Sequence, residues 1–264
     1  MPISQRICRF VHLSSNSFFL QETTNCMQLL VSVRSTKEAD LVGPSGVDLM
    51  DLKEPNLGSL GAASPDLWEA VVSRWHGRIP ISIALGELPH AADIARIPPQ
   101  TDRVKVGLAG CRQIAHWQSE LGAIYDQLPA QVQRVAVYYA DAHLADSPPL
   151  EDVLQMAIDL RCQTFLVDTY SKSGRSVFDY LSTTQLTKLR QQLHANDLHF
   201  ALAGSLRAQH LPSVVKIQPD IVAVRGVVCH RDRTGEIDAD RLRSYHRKLA
   251  VALRDDTRPL LAGG

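Results

Sequence analysis

Short apolar runs alternate along the chain with amphipathic stretches and turn residues. The runs are rich in Val, Ile, Leu and Ala, a composition typical of strands buried on both faces of a parallel sheet. Eight of them occur, at residues 29–33, 49–53, 81–85, 103–108, 134–140, 165–170, 199–204 and 221–226. This alternation of strand and helix signals predicts an α/β chain built from repeated strand-helix units.

Most of the segments between the runs have the spacing of apolar residues that predicts an amphipathic helix. The best formed begins with Ser64 as its N-cap and Pro65 at its first helical position. Its predicted buried face carries Leu67, Val71, Val72 and Trp75. Similar stripes predict helices within residues 111–128, 150–160, 182–195 and 238–254, whereas the helical patterns at 35–46 and 90–97 are short and poorly formed.

The number and order of these units favour one architecture. Eight strand-helix units within about 240 residues match a single (β/α)8 TIM barrel. A doubly wound open sheet is the alternative arrangement of the same units. No GxGxxG or Walker-type loop follows the first run, which argues against a dinucleotide or nucleoside triphosphate cofactor. The barrel is therefore the predicted fold, and no cofactor is expected.

Residues 1–26 differ in character from the rest of the chain. They are polar and rich in Ser, Asn and Thr, and their apolar patch at 18–20 is too short for the core of a signal peptide. Because regular patterning begins abruptly at Met27, we expect a disordered N-terminal extension and Met27 as the natural start. Residues 27–264 would then form the catalytic barrel domain.

Composition and charge argue against several classes of protein. Lys and Arg together number 28, as do Asp and Glu, so no overall positive charge would attract nucleic acid or an anionic membrane. No apolar run approaches the roughly 20 residues that a membrane-spanning helix needs. The five cysteines are scattered without metal-ligand spacing, so we expect reduced thiols, a cytoplasmic location and no bound metal. The oligomeric state, including a homo-oligomer, stays open.

Charged residues stand near the predicted carboxyl ends of three strands, where barrels of this kind build their active sites. Because successive side chains of a strand face opposite sides, the apolar residues of the second run should face the helices. Asp51 and Lys53 should then face the interior of the barrel. By the same rule, Lys105 of the fourth run points inward between two valines. Asp168 in the sixth run and Lys172 in the loop after it complete the set. The sequence therefore predicts that three lysines and two aspartates converge on one rim.

Three neighbouring lysines favour amine chemistry. A partly buried lysine beside other cations loses its proton readily, and a neutral amine attacks a carbonyl carbon. Lys53 is the candidate attacking amine, with the two aspartates moving protons or holding the ammonium groups in place. The competing interpretation is that the five charged residues form ordinary ion pairs at the barrel rim.

The last two predicted strands end in residues suited to bind phosphate. Gly204 and Ser205 stand at the end of the seventh run, and Arg225 and Gly226 at the end of the eighth. Loops after strands seven and eight commonly bind phosphate in barrels, through backbone N–H groups. Glycine allows a close approach and arginine adds a bidentate cation, so these four residues are the predicted phosphate site. The alternative is that the glycines merely end their strands.

These residues, in this order, resemble the (5-formylfuran-3-yl)methyl phosphate synthase family of the methanofuran pathway, also called the 4-(hydroxymethyl)-2-furancarboxaldehyde-phosphate synthase family. The likeness runs from about residue 29 to the last predicted helix. Its most specific blocks are DLKEPNLGSLGA at 51–62, VKVGL at 104–108, DTYSKSG at 168–174, FD at 178–179, ALAGS at 201–205 and VRG at 224–226. The segment at 84–89 departs from the family pattern, so Glu87 is given no role.

The resemblance implies a lyase without a metal, which condenses two molecules of glyceraldehyde 3-phosphate, releases phosphate and water, and closes a furan ring. It further implies that Lys53 forms the Schiff base and that Lys105 accepts a proton. Asp51, Asp168 and Lys172 match the assisting charged residues of the family.

Two other functions are compatible with the same pattern. Another Schiff-base barrel, such as an aldolase or dehydratase with a different phosphorylated carbonyl substrate, would use the same lysines. A barrel that binds a phosphorylated metabolite without catalysis would share the fold. Product analysis on glyceraldehyde 3-phosphate distinguishes the first from the family reaction, and borohydride trapping of a reactive amine distinguishes the second.

Overall fold

A computed structural model of the protein describes residues 27–256 and has eight parallel strands at its centre. The strands are β1 (Gln28–Val33), β2 (Leu49–Leu52), β3 (Ile81–Glu87), β4 (Arg103–Gly107), β5 (Gln133–Tyr139), β6 (Thr164–Asp168), β7 (His199–Leu202) and β8 (Ile221–Val224). Each strand pairs with the next, and β1 also pairs with β8, so the sheet closes into a barrel. The predicted TIM barrel is confirmed, and the open sheet is wrong.

The register of the strand pairing places polar residues side by side inside the barrel. Asp51 of β2 pairs with Ser32 of β1 and with Ser82 of β3. In β4, Lys105 pairs with Ala84 of β3. Because side chains alternate along a strand, these polar residues share the inward face. The alternation therefore builds one polar layer within an otherwise apolar barrel.

Helices pack around the strands. They are α1 (Thr36–Val42), α2 (Pro65–Trp75), α3 (Trp117–Tyr125), α4 (Ala142–Ala145), α5 (Leu150–Asp159), α6 (Thr183–His194), α7 (Leu211–Ile217) and α8 (Ala239–Asp256). The predicted start of α2 is confirmed, since the side chain of Ser64 accepts a hydrogen bond from the Leu67 N–H. Its most deeply buried residues are Trp68, Val71 and Val72, whereas Leu67 and Trp75 are half-buried.

Some helices differ from the predicted ones. The weak pattern at 90–97 forms no α-helix, and two short 3-10 turns at Leu88–His90 and Ile94–Arg96 occupy this region. Pro89 lies within the first turn, Pro98 and Pro99 follow the second, and proline interrupts helical hydrogen bonding. The helix predicted within 111–128 begins only at Trp117. Helix α7 was not predicted, because its seven residues are too few to show a clear period.

Apolar residues pack on both sides of the strands, outside the barrel against the helices and inside it next to the polar layer. Met50, Leu52, Val104 and Val106 pack between the barrel and the helices, as the alternation of β2 and β4 predicts. Inside the barrel, larger residues such as Leu30 and Leu166 alternate with small ones, and alanine recurs at positions 84, 109, 201, 203 and 223. Small inward side chains leave room for a cavity along the barrel axis.

Residues 1–26 and 257–264 lie outside the described part of the chain. The expectation of a disordered extension at 1–26 therefore stays a prediction. Within residues 27–256, no helix has an apolar stretch long enough to cross a membrane.

Candidate active site

A cavity of about 480 Å³ opens among the loops at the carboxyl ends of the strands. It continues down the barrel axis to residues near the amino ends of their strands, including Arg103 and Thr164. All nine predicted site residues line it, namely Asp51, Lys53, Lys105, Asp168, Lys172, Gly204, Ser205, Arg225 and Gly226. The structure thus brings the predicted amine cluster and the predicted phosphate loops into one pocket.

Lys105 is held by buried polar groups on neighbouring strands. Its Nζ donates hydrogen bonds to Asp51 Oδ1 and, at 3.4 Å, to Ser82 Oγ. The other carboxylate oxygen of Asp51 accepts a hydrogen bond from Ser32 Oγ at 2.9 Å. All four residues are buried. Lys105 is therefore fixed inside the barrel, and its amine has a carboxylate partner.

Asp168, the last residue of β6, is the partner of a second lysine. Its Oδ1 accepts hydrogen bonds from the Thr169 N–H at 2.7 Å and from Lys172 Nζ at 3.1 Å. Its Oδ2 accepts from Ser59 Oγ at 3.2 Å. The amine of Lys172 also donates to the carbonyl and the hydroxyl oxygen of Thr169. Lys172 is thus tied to β6 but remains partly exposed to the pocket.

Lys53 directly follows β2 and differs from the other two lysines. Within residues 27–256, its amine forms no hydrogen bond and no ion pair at contact distance, whereas Lys105 and Lys172 each contact a carboxylate. Burial is the largest cause that lowers the pKa of Lys53, and the positive charges of Lys105 and Lys172 act in the same direction. The charges of Asp168 and Asp51 act in the opposite direction, and the net result is a pKa of about 8. A larger fraction of the Lys53 amine is therefore neutral, and so nucleophilic, near pH 7.

The two aspartates stay ionised although they are buried. Burial by itself raises the pKa of a carboxyl group. For Asp51 the nearby Lys105 and Lys53 outweigh burial and hold the pKa below its ordinary value. For Asp168, Lys172 and Lys53 do the same and lower the pKa to about 2. The pocket therefore keeps two negatively charged hydrogen-bond acceptors near neutral pH.

The reactivity of Lys53 should follow its lowered pKa. Only the neutral amine attacks a carbonyl, so the initial rate of Schiff-base trapping should rise about tenfold per pH unit below pH 8 and level off above about pH 9. Cyanoborohydride trapping with a phosphorylated aldehyde at a series of pH values measures this rate. A rate that keeps rising beyond pH 10 would show an ordinary lysine and contradict the burial argument.

The thiols of the described residues are poor candidates for nucleophiles. Cys111, Cys162 and Cys229 are buried, and burial raises the pKa to about 12 for the first two and about 11 for the third. Thiolates are the nucleophilic form, so these cysteines are unreactive near neutral pH. In the same part of the chain, no group of three or more His, Cys, Asp or Glu side chains is arranged to hold a metal ion.

The loops after β7 and β8 offer free backbone donors to the pocket. Gly204 has a φ of 94°, and a side chain there would come within 2.9 Å of a valine, so the backbone requires glycine. Within residues 27–256, the N–H groups of Gly204, Ser205 and Leu206 have no hydrogen-bond partner. The same is true of Gly226 and Val227. Free N–H groups around a pocket suit an anionic ligand.

Arg225 has a different setting from the one expected for a phosphate-binding residue. Its Nη1 donates to Glu38 Oε2 at 2.8 Å and to the Ser32 carbonyl at 2.9 Å. Its Nη2 donates to Glu38 Oε1 at 3.2 Å and to the Gly235 carbonyl at 3.0 Å, and its Nε donates to the Arg233 carbonyl at 2.6 Å. A guanidinium has five N–H donors, and these contacts use them all. They favour a structural role over the predicted phosphate contact.

Replacing Arg225 should reduce stability strongly. Arg225→Ala leaves the buried carboxylate of Glu38 without its cation, which costs about 3–5 kcal/mol of the free energy of unfolding. The melting temperature should fall by about 10 °C, as measured by circular dichroism. Arg243→Ala, which removes an exposed arginine of α8, is the control and should change little. An unchanged melting temperature with a raised KM would restore the phosphate role of Arg225.

Comparison with known protein families identifies relatives of this chain. The sequence profile of the 4-HFC-P synthase family matches residues 29–246, which is most of the chain. The chain belongs to the 4-HFC-P synthase family. The matched range contains every residue of the amine cluster and both glycine loops. Since the relatives are synthases, the protein is an enzyme.

Curated members of the 4-HFC-P synthase family are similar over nearly their whole length. The (5-formylfuran-3-yl)methyl phosphate synthase of Methanosarcina barkeri is 32% identical over 220 residues, covering 80% of this chain and 94% of the relative. That of Methanopyrus kandleri is 31% identical over 236 residues, covering 86% and 98%. The resemblance seen in the motif blocks therefore extends through the barrel.

Solved structures show the shared architecture. Phosphoribosyl anthranilate isomerase from Thermus thermophilus matches with a TM-score of 0.56 and 14% identity, covering 85% of this chain and 99% of that one. 3-Hexulose-6-phosphate synthase from Salmonella typhimurium matches with a TM-score of 0.54 and 16% identity, covering 86% and 98%. At such identities the likeness is one of fold alone.

Glu87, for which the sequence predicted no role, has its carboxylate engaged at the barrel rim. Its Oε1 accepts a hydrogen bond from the Tyr139 hydroxyl at 2.6 Å, and its Oε2 accepts from the Ala109 N–H at 2.8 Å. Burial raises the pKa of Glu87, and these two hydrogen bonds oppose the rise. Glu87 therefore joins the ends of β3 and β5 to the loop after β4.

Several residues in the pocket or next to its charged groups were not predicted from the sequence. Ser32 and Ser82 contact the buried aspartate-lysine pair, and Ser59 contacts the aspartate of β6. A signal for the first two exists, since each is a single polar residue on the inward side of an apolar run. Arg233 also lines the pocket, but it lies in a loop without a pattern that would single it out.

Proposed function

We propose that this protein is a lyase that condenses two molecules of glyceraldehyde 3-phosphate into (5-formylfuran-3-yl)methyl phosphate, for a methanofuran-type cofactor. One observation carries the proposal: of the three lysine amines in the pocket, that of Lys53 forms no contact with a carboxylate within residues 27–256 and has a pKa lowered to about 8. Such an amine is suited to form a Schiff base. The names of the relatives support this choice of product.

In the first step, the neutral amine of Lys53 attacks the carbonyl carbon of one substrate molecule. Loss of water gives an iminium ion, whose positive charge acidifies the neighbouring C–H bond. Asp51 and Asp168 lie near enough to raise the pKa of Lys53, so both carboxylates stabilise the positive charge that develops there.

Lys105 is the proposed base for that acidified proton. To act as the base, Lys105 must first release the proton of its ammonium group. The neutral amine would then accept the substrate proton, and the hydrogen-bonded carboxylate of Asp51 would hold the amine in place and stabilise the ammonium that forms again. Ser32 and Ser82 position this pair from the two adjacent strands. Loss of the proton leaves an enamine, which supplies the carbon nucleophile for the bond to the second substrate molecule.

Lys172 is the proposed partner of the departing phosphate. It is partly exposed in the pocket, and Asp168 and Thr169 hold its amine near the mouth. An ammonium group in this position would balance the negative charge of a leaving phosphate. The free N–H groups around Gly204, Ser205 and Gly226 are the proposed site for a phosphate that the product retains.

The proposed reaction balances without a redox partner. Two molecules of glyceraldehyde 3-phosphate contain the atoms of one (5-formylfuran-3-yl)methyl phosphate, one inorganic phosphate and two waters. The residues that the mechanism uses need only attack a carbonyl, move protons and stabilise charge. The lysines and aspartates of the pocket supply these functions.

Product analysis tests this function directly. The purified full-length protein is incubated with glyceraldehyde 3-phosphate as the sole substrate, and the furan chromophore, the product mass and released phosphate are measured. We expect one phosphate for each furan formed. A six-carbon bisphosphate as the product would instead indicate an aldolase, and the absence of any product would favour a metabolite-binding barrel.

A further inference from the structure

Arg233 is a cation of the pocket that the proposed mechanism does not use. It lies in the loop between the short turn Gly226–Val228 and α8, and its half-buried side chain lines the cavity together with Lys53 and Asp168. Its Nη2 donates a hydrogen bond to the carbonyl of Gly58, in the loop after β2. The side chain therefore joins the loops after β8 and β2 at the mouth of the pocket.

Most of the donors of Arg233 are free. A guanidinium has five N–H groups, and within residues 27–256 a single one of them makes a hydrogen bond. No carboxylate in this range forms an ion pair with it, in contrast to Arg225 and its partner Glu38. Burial lowers the pKa of Arg233, while the charge of Asp168 acts against this effect. A half-buried cation with free donors is suited to bind an anion.

The backbone that carries Arg233 is fixed on two sides. Arg225 donates hydrogen bonds to the carbonyls of Arg233 and Gly235, and Arg34 donates to the carbonyl of Thr234 at 2.8 Å. The buried ion pair of Arg225 is in turn anchored in the barrel wall through the Ser32 carbonyl. The guanidinium is therefore held over the pocket before any ligand arrives, which reduces the entropy lost on binding.

We propose that Arg233 forms a second anion site in this pocket and binds the phosphate of the second glyceraldehyde 3-phosphate molecule. The proposal rests on the proposed function, in which two phosphorylated molecules occupy the pocket together. The free N–H groups of the loops after β7 and β8 take one phosphate. A second phosphate in the same cavity is repelled by the first, so it needs a cation that binds it before reaction, in addition to Lys172, which balances charge when a phosphate departs. The planar guanidinium can offer two parallel N–H groups to it.

Phosphate binding tests the second site without any need for catalysis. In calorimetric titration of the full-length protein with inorganic phosphate, the wild type should bind two phosphates and Arg233→Gln should bind one. Arg243→Gln, which removes an exposed arginine paired with Asp240 in α8, is the matched control and should bind two. Arg233→Lys, which keeps the charge, should retain the second site with weaker affinity. The proposal is overturned if Arg233→Gln still binds two phosphates, or if this variant, shown to be folded by circular dichroism, binds none.

Kinetics then assign this site to the second substrate molecule. In Arg233→Gln, the glyceraldehyde 3-phosphate concentration for half-maximal furan formation should rise about tenfold to a hundredfold, the usual effect of losing hydrogen bonds to a charged group. Borohydride labelling of Lys53 needs only the first molecule, so its concentration dependence should stay within about twofold of the wild type. A parallel weakening of labelling and furan formation overturns this assignment. Failure of the wild type to form furan would refute the proposed function and leave the phosphate titration as a separate result.

Discussion

Replacing Lys53 by arginine should abolish furan formation. Arginine keeps the positive charge beside Asp51 and Asp168, so the electrostatic balance of the pocket changes little. Its guanidinium stays protonated at any working pH and cannot form the Schiff base. Removal of an essential nucleophile costs about four orders of magnitude or more in kcat. The turnover of Lys53→Arg, measured from the furan chromophore, should therefore fall to background.

The control for this variant is a lysine outside the pocket. Lys188→Arg makes the same chemical change on the exposed face of α6 and should leave turnover unchanged. The melting temperature of Lys53→Arg should stay close to that of the wild type, because its charge is retained. If folded Lys53→Arg kept more than about one per cent of wild-type turnover, Lys53 would not be the essential amine.

Lys105→Met should separate Schiff-base formation from the later proton transfer. Methionine has a similar length but no amine, so the proposed base is lost while Lys53 remains. Furan formation should fall by about a hundredfold to ten-thousandfold, as is usual when a general base is removed. Borohydride should still label Lys53, but at higher pH. The reason is that the positive charge of Lys105 is one of the causes that lower the pKa of Lys53.

The loss of Lys105 also leaves the buried carboxylate of Asp51 without its ion-pair partner. The free energy of unfolding should therefore fall, and the fold of the variant must be checked by circular dichroism. The double variant Lys105→Met, Asp51→Asn removes both charges and provides a more stable background for the same measurement. If Lys53 is not labelled at any pH in either folded variant, Lys105 is the attacking amine and the two roles are reversed.

The barrel and its amine cluster follow from simple patterns in the sequence. Strands buried on both faces appear as apolar runs, and the eight runs match the eight strands within one or two residues at their ends. Alternation placed Lys105 and Asp51 inside the barrel, where they form an ion pair. These features depend on neighbours along one strand. A single sequence is sufficient to predict them.

The remaining features depend on contacts between distant segments. Arg225 stands where a phosphate-binding arginine is expected, but Glu38 of α1, the loop before α8 and the Ser32 carbonyl of β1 together occupy all its donors. The same contacts hold Arg233 over the pocket, although nothing in its local sequence distinguishes it. The difference between Lys53 and its two neighbouring lysines has the same origin. It is set by which carboxylate each amine reaches in the folded barrel.

Borohydride trapping with peptide mapping tests the central claim most directly. The full-length protein is treated with glyceraldehyde 3-phosphate and borohydride, digested with trypsin and analysed by mass spectrometry. A modified lysine resists trypsin, so a label on Lys53 gives an uncut peptide spanning residues 38–74, carrying the mass of one reduced three-carbon phosphate. We expect this peptide in the wild type and its loss in Lys53→Arg. A label on the peptide 104–112 or 162–175 would place the Schiff base on Lys105 or Lys172 instead, and no label on any peptide would contradict the Schiff-base mechanism.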